Sequence, residues 1–200
     1  MKRSYLFILV AIVLLSVIAG AVLLIIAPPT TDITVRSCVT DADDQCLTLP
    51  RITGDNLDGE TITLPDDITS EYALLVMPFS REEQTQAINW LPIYQEWADN
   101  RDDLSYYSLA VLVVDAPFRP LVIGGLNVAV ADPAVRHAVI VAFVEETDQQ
   151  AALIALNRPD RDALLALLVT QSGEVLWQHV GAYEAAAADE LREVLAKIDN

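Results

Sequence analysis

Tyr72-Ala73-Leu74-Leu75-Val76-Met77-Pro78-Phe79-Ser80-Arg81-Glu82-Glu83-Gln84-Thr85-Gln86-Ala87, with Pro92 five residues further on, is the stretch on which the fold turns. Its first half is an apolar run of strand length without alternation, the pattern of a strand covered on both faces. Ser80 followed by Glu83 has the spacing of a capping box and opens a helix expected from Ser80 to Asn100. Ile88, Leu91 and Gln95 share one line of that helix beside Trp90, Tyr94 and Trp97. Those three aromatic residues are expected to pack the helix on a sheet, with a partner-binding surface as the alternative. Tyr106 to Val114 is a second apolar run, so the whole segment reads as strand, helix, strand.

The flanking sequence extends this pattern in both directions. Leu47-Thr48-Leu49-Pro50 is an extended lead-in, and Leu57-Asp58-Gly59-Glu60 before alternating Thr61 to Leu64 is a hairpin signal. Phe118 to Asp132, which holds Pro120, Gly124 and Gly125, reads as an irregular or partly helical excursion. His137 to Phe143 is a third apolar strand, Thr147 to Leu156 a short helix, and Leu164 to Thr170 a fourth strand. Gln171-Ser172-Gly173-Glu174 turns that strand into Val175 to Val180, a second hairpin. The last helix, Ala182 to Ile198, is expected to bury Leu191, Val194, Leu195 and Ile198.

The N-terminal part is of another kind. From Tyr5 to Ala27 every residue is apolar except Ser16 and Gly20. In helix this run would rise roughly 34 Å, enough to cross a hydrocarbon core. A cleavable signal peptide has a shorter apolar core, about 7–15 residues, followed by a small-residue cleavage site. Here Ala19-Gly20-Ala21 lies inside the run, so an uncleaved signal anchor is expected. Lys2 and Arg3 precede it, and the first basic residue beyond is Arg36, so the charge bias keeps the N-terminus cytoplasmic. The expected organisation is a cytoplasmic N-terminus at 1–4, a transmembrane helix at 5–27 inserted in the bilayer, an extracytoplasmic stalk at 28–46, and a folded domain at 47–200. The body is then periplasmic or extracellular.

The chain carries 29 acidic and 12 basic residues, a formal charge of −17. A body this acidic repels phosphate backbones, so no nucleic acid is expected among its partners. Cys38 and Cys46 enclose Val39-Thr40-Asp41-Ala42-Asp43-Asp44-Gln45. On the outer side two thiols this close are expected to oxidise to a structural disulfide, with free thiols or a redox-active pair as alternatives. The acids of this loop lack the glycine and closing glutamate of a calcium loop.

The order Leu-x-Gly hairpin, apolar strand, Pro-containing helix, further βα, closing hairpin and helix resembles the thioredoxin-like superfamily, in its membrane-anchored thiol-disulfide and peroxiredoxin-like branches. The resemblance covers Leu47 to the C-terminus and implies an α/β three-layer sandwich with a mixed central sheet. Phe79 and Pro92 fit the family spacing around its redox cysteine pair, and that spacing places the pair on Gln84 and Ala87. The thiols of the usual site are therefore absent. The resemblance also places a cis-proline just before the closing hairpin, whereas Pro159 comes several residues early. Some thiol-less relatives serve in assembly of membrane complexes, which implies a binding or accessory role beside another membrane protein.

No other chemistry stands out. His137 and His179 lie in predicted strands without a carboxylate or cysteine at metal spacing, so neither a metal nor a cofactor is expected. Arg81, Glu82 and Glu83 at the helix start are read as capping residues, with a polar ligand held by the free backbone amides as the alternative. The functional expectation is a membrane-anchored accessory module without catalytic residues. The alternative is a thiol-disulfide oxidoreductase that uses Cys38 and Cys46.

Overall fold

The computed structural model describes residues 47–158 and 163–198. In chain order these form β1 (Ile52–Asn56), β2 (Thr61–Leu64), β3 (Tyr72–Met77), α1 (Arg81–Ala87), α2 (Leu91–Asp99) and β4 (Leu104–Leu112). A 3-10 turn at Ala116–Phe118 follows, then α3 (Arg119–Ala129), α4 (Pro133–Arg136), β5 (Val139–Phe143), α5 (Glu146–Ala155), β6 (Leu165–Thr170), β7 (Val175–Val180) and α6 (Ala185–Ile198). The expected anchor at 5–27, the stalk with Cys38 and Cys46, and Pro159 lie outside the described residues. Among the described residues no helix is long and apolar enough to cross a membrane.

The strands form one mixed sheet in the order β2-β1-β5-β4-β3-β6-β7. The two largely apolar runs, β3 and β4, lie at its centre and are parallel to each other. β4 is also parallel to β5, while β3 is antiparallel to β6. Hairpins finish both edges. In the first, Gly59 supplies a positive φ, and the Asn56 side-chain oxygen accepts from the N–H groups of Asp58 and Glu60. In the second, the lead-in lies along the turn: Leu49 donates to the Gly173 carbonyl and Val175 to that of Leu47.

Alternate residues of the central strands feed two cores. On one face Ala73, Leu75, Met77, Leu109 and Val111 pack with Leu153 and Leu156. On the other Leu74, Val76, Leu104 and Tyr106 pack with Trp90 and Tyr94 of the α1–α2 segment and with Leu191, Val194 and Leu195 of α6. Helices thus cover both faces, as a sheet with largely apolar central strands requires.

One expectation needs correction. The single helix from Ser80 to Asn100 is two helices, with a turn at Ile88 to Trp90. Pro92 stands in the first turn of α2. Its ring would collide with the carbonyl four residues back, that of Ile88, and it has no N–H to continue the first helix. The excursion from Phe118 to Asp132 contains a regular eleven-residue helix, α3. Pro120 lies in its first turn, where a missing N–H costs nothing. Gly124 and Gly125 lie within it, and a Cβ at either would meet nothing within 4 Å.

Candidate functional site

A cleft of about 770 Å³ opens between the α1–α2 segment and α3. Small residues create it. On the face of β4 turned toward these helices, Tyr106 is followed by Ser108 and Ala110, and these two form the floor together with Val139 of β5. Ala87 on one wall and Gly125 and Ala129 on the other add little bulk. Leu112, Leu91, Val122 and Leu126 make the remaining walls apolar. Large apolar side chains continue around the opening: Ile88, Val113 and Leu121 are 46%, 45% and 72% exposed. Exposed apolar surface gathered around a concavity is the usual mark of a binding surface.

Helix α3 makes this wall with no fully buried residue of its own. It is held by polar contacts at both ends. Arg136 donates to the Asn127 side-chain oxygen at 2.7 Å, and also to the Leu57 carbonyl and to Asp58, which ties α3 to the first hairpin turn. At the other end the Arg119 Nε donates to the Val114 carbonyl at 3.1 Å, and its guanidinium lies 5.1 Å from the Phe143 ring centre.

Polar groups enter the cleft mainly from the start of α1. Ser80 caps that helix, its Oγ accepting from the Glu83 N–H at 3.3 Å. The Glu83 carboxylate accepts from the Phe79 N–H at 2.7 Å, one residue earlier than in a standard capping box. Both side chains thereby hold the chain as it leaves β3, which agrees with the capping expectation. Gln84 and Thr85 line the cleft on the next turn, with Ala87 behind them. The Gln84 Nε2 is buried without a hydrogen-bond partner among the described residues. Arg81 is exposed at the opening. Among the described residues no carboxylate, imidazole or thiol lines the cleft. Its groups can recognise a ligand by shape, hydrogen bonds and one positive charge, but they include no general base for a nucleophile.

Sequence reading missed Gln149. It is buried on α5, and its Nε2 donates to the carbonyls of Phe79 at 3.1 Å and Val111 at 2.7 Å. Gln149 thereby joins the chain just past β3 to the end of β4 at the back of the cleft. A lone glutamine bonded to residues 70 and 38 positions away leaves no local pattern to find.

Of the three aromatic residues on this segment, Trp90 and Tyr94 lie in the core and Trp97 at its edge. Trp90 and Tyr94 are fully buried, with ring centres 5.4 Å apart, and Trp90 also packs edge-on against Trp177 and Tyr183. Trp97 is half-buried beneath the Arg192 guanidinium of α6. The turn before Pro92 brings Ala87, Trp90 and Tyr94 inward together, so the segment packs on the sheet through these residues. Burial raises the Tyr94 phenol well above its ordinary pKa.

The two histidines are far apart in role. His137 is exposed, edge-on to the Tyr106 ring. His179 is buried, stacked on Trp177 at 6.1 Å, with Nε2 3.2 Å from the Ala182 carbonyl. Burial lowers its pKa below 6.5, against smaller opposing effects of that carbonyl and of Glu184 and Glu190. The folded state therefore holds His179 neutral while the unfolded chain takes up a proton near pH 6.5. Its stabilising contribution is complete above pH 6.5 and is lost as pH falls through the folded-state pKa. Urea unfolding midpoints are expected to drop between pH 7 and 5, and the drop is expected to be smaller in His179→Gln. Equal drops in the two proteins would contradict the assignment.

Neither a protein-family model nor a curated protein matches the sequence. Solved structures do match its fold. BsSco, a member of the Sco family of cytochrome c oxidase assembly proteins, aligns with a TM-score of 0.53 at 13% identity, over 77% of this chain and 95% of that one. Yeast Sco1 with copper bound aligns at 0.51 and 10% identity, over 76% and 95%. A Chlorobium tepidum protein described as a thiol:disulfide interchange protein DsbE aligns at 0.50 and 19%, over 76% and 96%. With the mixed sheet and its helices, these likenesses establish that the body of the chain has the thioredoxin-like fold.

Proposed function

We propose that this chain is a membrane-tethered, extracytoplasmic thioredoxin-like module without thiol chemistry at the family's usual site, which binds a partner as an assembly or accessory subunit of a membrane complex. The observation that carries the proposal is the cleft beside α1. Family spacing assigns the redox pair to Gln84 and Ala87, both of which line the cleft, and residues 47–200 contain no cysteine. Disulfide exchange and peroxide reduction each need a thiolate, which neither glutamine nor alanine can form. What remains is an apolar recess of ligand size with a few directed polar groups, suited to recognition. The apolar run at 5–27 supports the tether, and the acidic body supports a partner other than nucleic acid. Assembly is the role named for the Sco family neighbour, which makes it the accessory role to test first.

Copurification from membranes dissolved in mild detergent tests this reading. The chain is expected to travel with a second membrane protein at defined stoichiometry, and the Cys38→Ser/Cys46→Ser variant is expected to retain it. A monomer without a companion, or a companion lost with the cysteines, would overturn the proposal.

A further inference from the structure

The cleft combines three features that together describe a ligand. The first is its wall, apolar on both sides and floored by the small residues Ser108 and Ala110, with space for a body of drug-like size. The second is charge. Acids outnumber bases 29 to 12 in the chain, yet among the described residues no acid lines the cleft, and Arg81 stands at its opening. Arg81 forms no ion pair among the described residues, whereas Arg51, Arg101, Arg136 and Arg192 are all paired with aspartates. Glu82, the nearest acid in sequence, lines a neighbouring depression and not the cleft. The third is the Gln84 amide, one helical turn from Arg81, with its Nε2 buried and unpartnered. A buried amide without a partner is costly unless something occupies the space beside it.

We propose that the cleft binds a small amphiphilic carboxylate, its hydrocarbon body lying between Leu91, Leu126 and Val122 and its carboxylate accepting hydrogen bonds from Arg81 and Gln84. An uncharged hydrocarbon would use the walls and leave both donors idle. A phosphate-bearing ligand would bring more negative charge than a single arginine answers. The monoanionic amphiphile uses all three features at once. This inference deepens the proposed binding role and rests on the cleft being the recognition surface.

The test uses the full chain in phospholipid nanodiscs, titrated calorimetrically with octanoate, with empty nanodiscs as the blank. Saturable binding at one site is expected. Arg81→Gln is expected to weaken it about tenfold, the loss of one charge-assisted interaction. Gly125→Leu, which adds a large side chain to the wall of the cleft, is expected to abolish it. Thermal unfolding of each variant confirms that it is folded, and exposed Arg81 keeps the test valid should Gly125→Leu fail to fold. Heat no greater than that of empty nanodiscs, or binding indifferent to Arg81→Gln, would overturn the assignment. Octanoate failure with the companion protein still copurifying would reject this ligand and leave the binding module standing, whereas loss of the companion as well would reject both.

Discussion

Alanine at Gly54 is expected to destabilise the protein by about 3 kcal/mol, while alanine at Gly125 is expected to stabilise it by about 0.5–1 kcal/mol. The substitution is the same and only the surroundings differ. At Gly54 a Cβ would stand 2.7 Å from the Val141 carbonyl oxygen, 2.8 Å from its carbon and 2.9 Å from the Ala142 nitrogen. These are backbone atoms of β5 and cannot rotate aside. β1 pairs with β5 at Asp55 with Val141 and Asn56 with Ile140, and Leu57 donates to the Val139 carbonyl just beyond, so separating the strands at Gly54 weakens the pairing that holds the first hairpin to the sheet. Ile52 and Leu64 would then be drawn from the core. At Gly125 the added methyl enters open space on a helix and only lowers the entropy lost on folding. Urea unfolding midpoints of the two variants, with unchanged m, provide the check. A shift of the same sign in both would show that the close approach of β1 to β5 is wrong.

Gln149→Leu is expected to cost about 2–4 kcal/mol despite preserving the volume of the side chain. The amide nitrogen serves the Phe79 and Val111 carbonyls at once, and leucine leaves both without that donor in a buried place. The apolar gain of the substitution is smaller than the penalty, because burying an unpaired carbonyl loses its hydration outright. The damage should be local as well as global. Amide exchange is expected to accelerate at Glu83 and Gln84, whose helix begins where Phe79 is anchored. A loss below about 0.5 kcal/mol would mean that water replaces the glutamine and that the strand ends do not depend on it.

Much of this fold is legible in the chain. The runs at Tyr72 and Tyr106 announce central strands because both of their faces are apolar, and the turns at Asp58-Gly59 and Ser172-Gly173 announce hairpins because few other residues accept the positive φ. Ser80 and Glu83 mark a helix start that the structure reproduces. The division of the helix at Pro92 was also present in the sequence, but the continuous apolar line across it masked the break. The wall at α3 was harder to see. Pro120 and the two glycines are breakers by composition, and only position shows that the proline lies in a permitted first turn and that the glycines face open space. The cleft itself is a property of tertiary packing. Ser108, Ala110 and Gly125 are ordinary residues individually, and their adjacency depends on the excursion folding back over β4.

Chemistry at the site was partly legible. The absence of cysteine after Cys46 is plain in the sequence. The burial of Trp90 and Tyr94, and the donor role of Gln149, depend on contacts between distant segments, for which local periodicity carries no signal.

The central claim is that this thioredoxin-like body recognises without thiol turnover. Insulin reduction by dithiothreitol and peroxide consumption, followed with the full chain in nanodiscs, test it most directly. The account predicts no acceleration over the uncatalysed reactions, and identical traces for wild type and for Cys38→Ser/Cys46→Ser. Multiple-turnover reduction by the wild type that disappears in the double serine variant would contradict it and move the chemistry to the Cys38 and Cys46 pair.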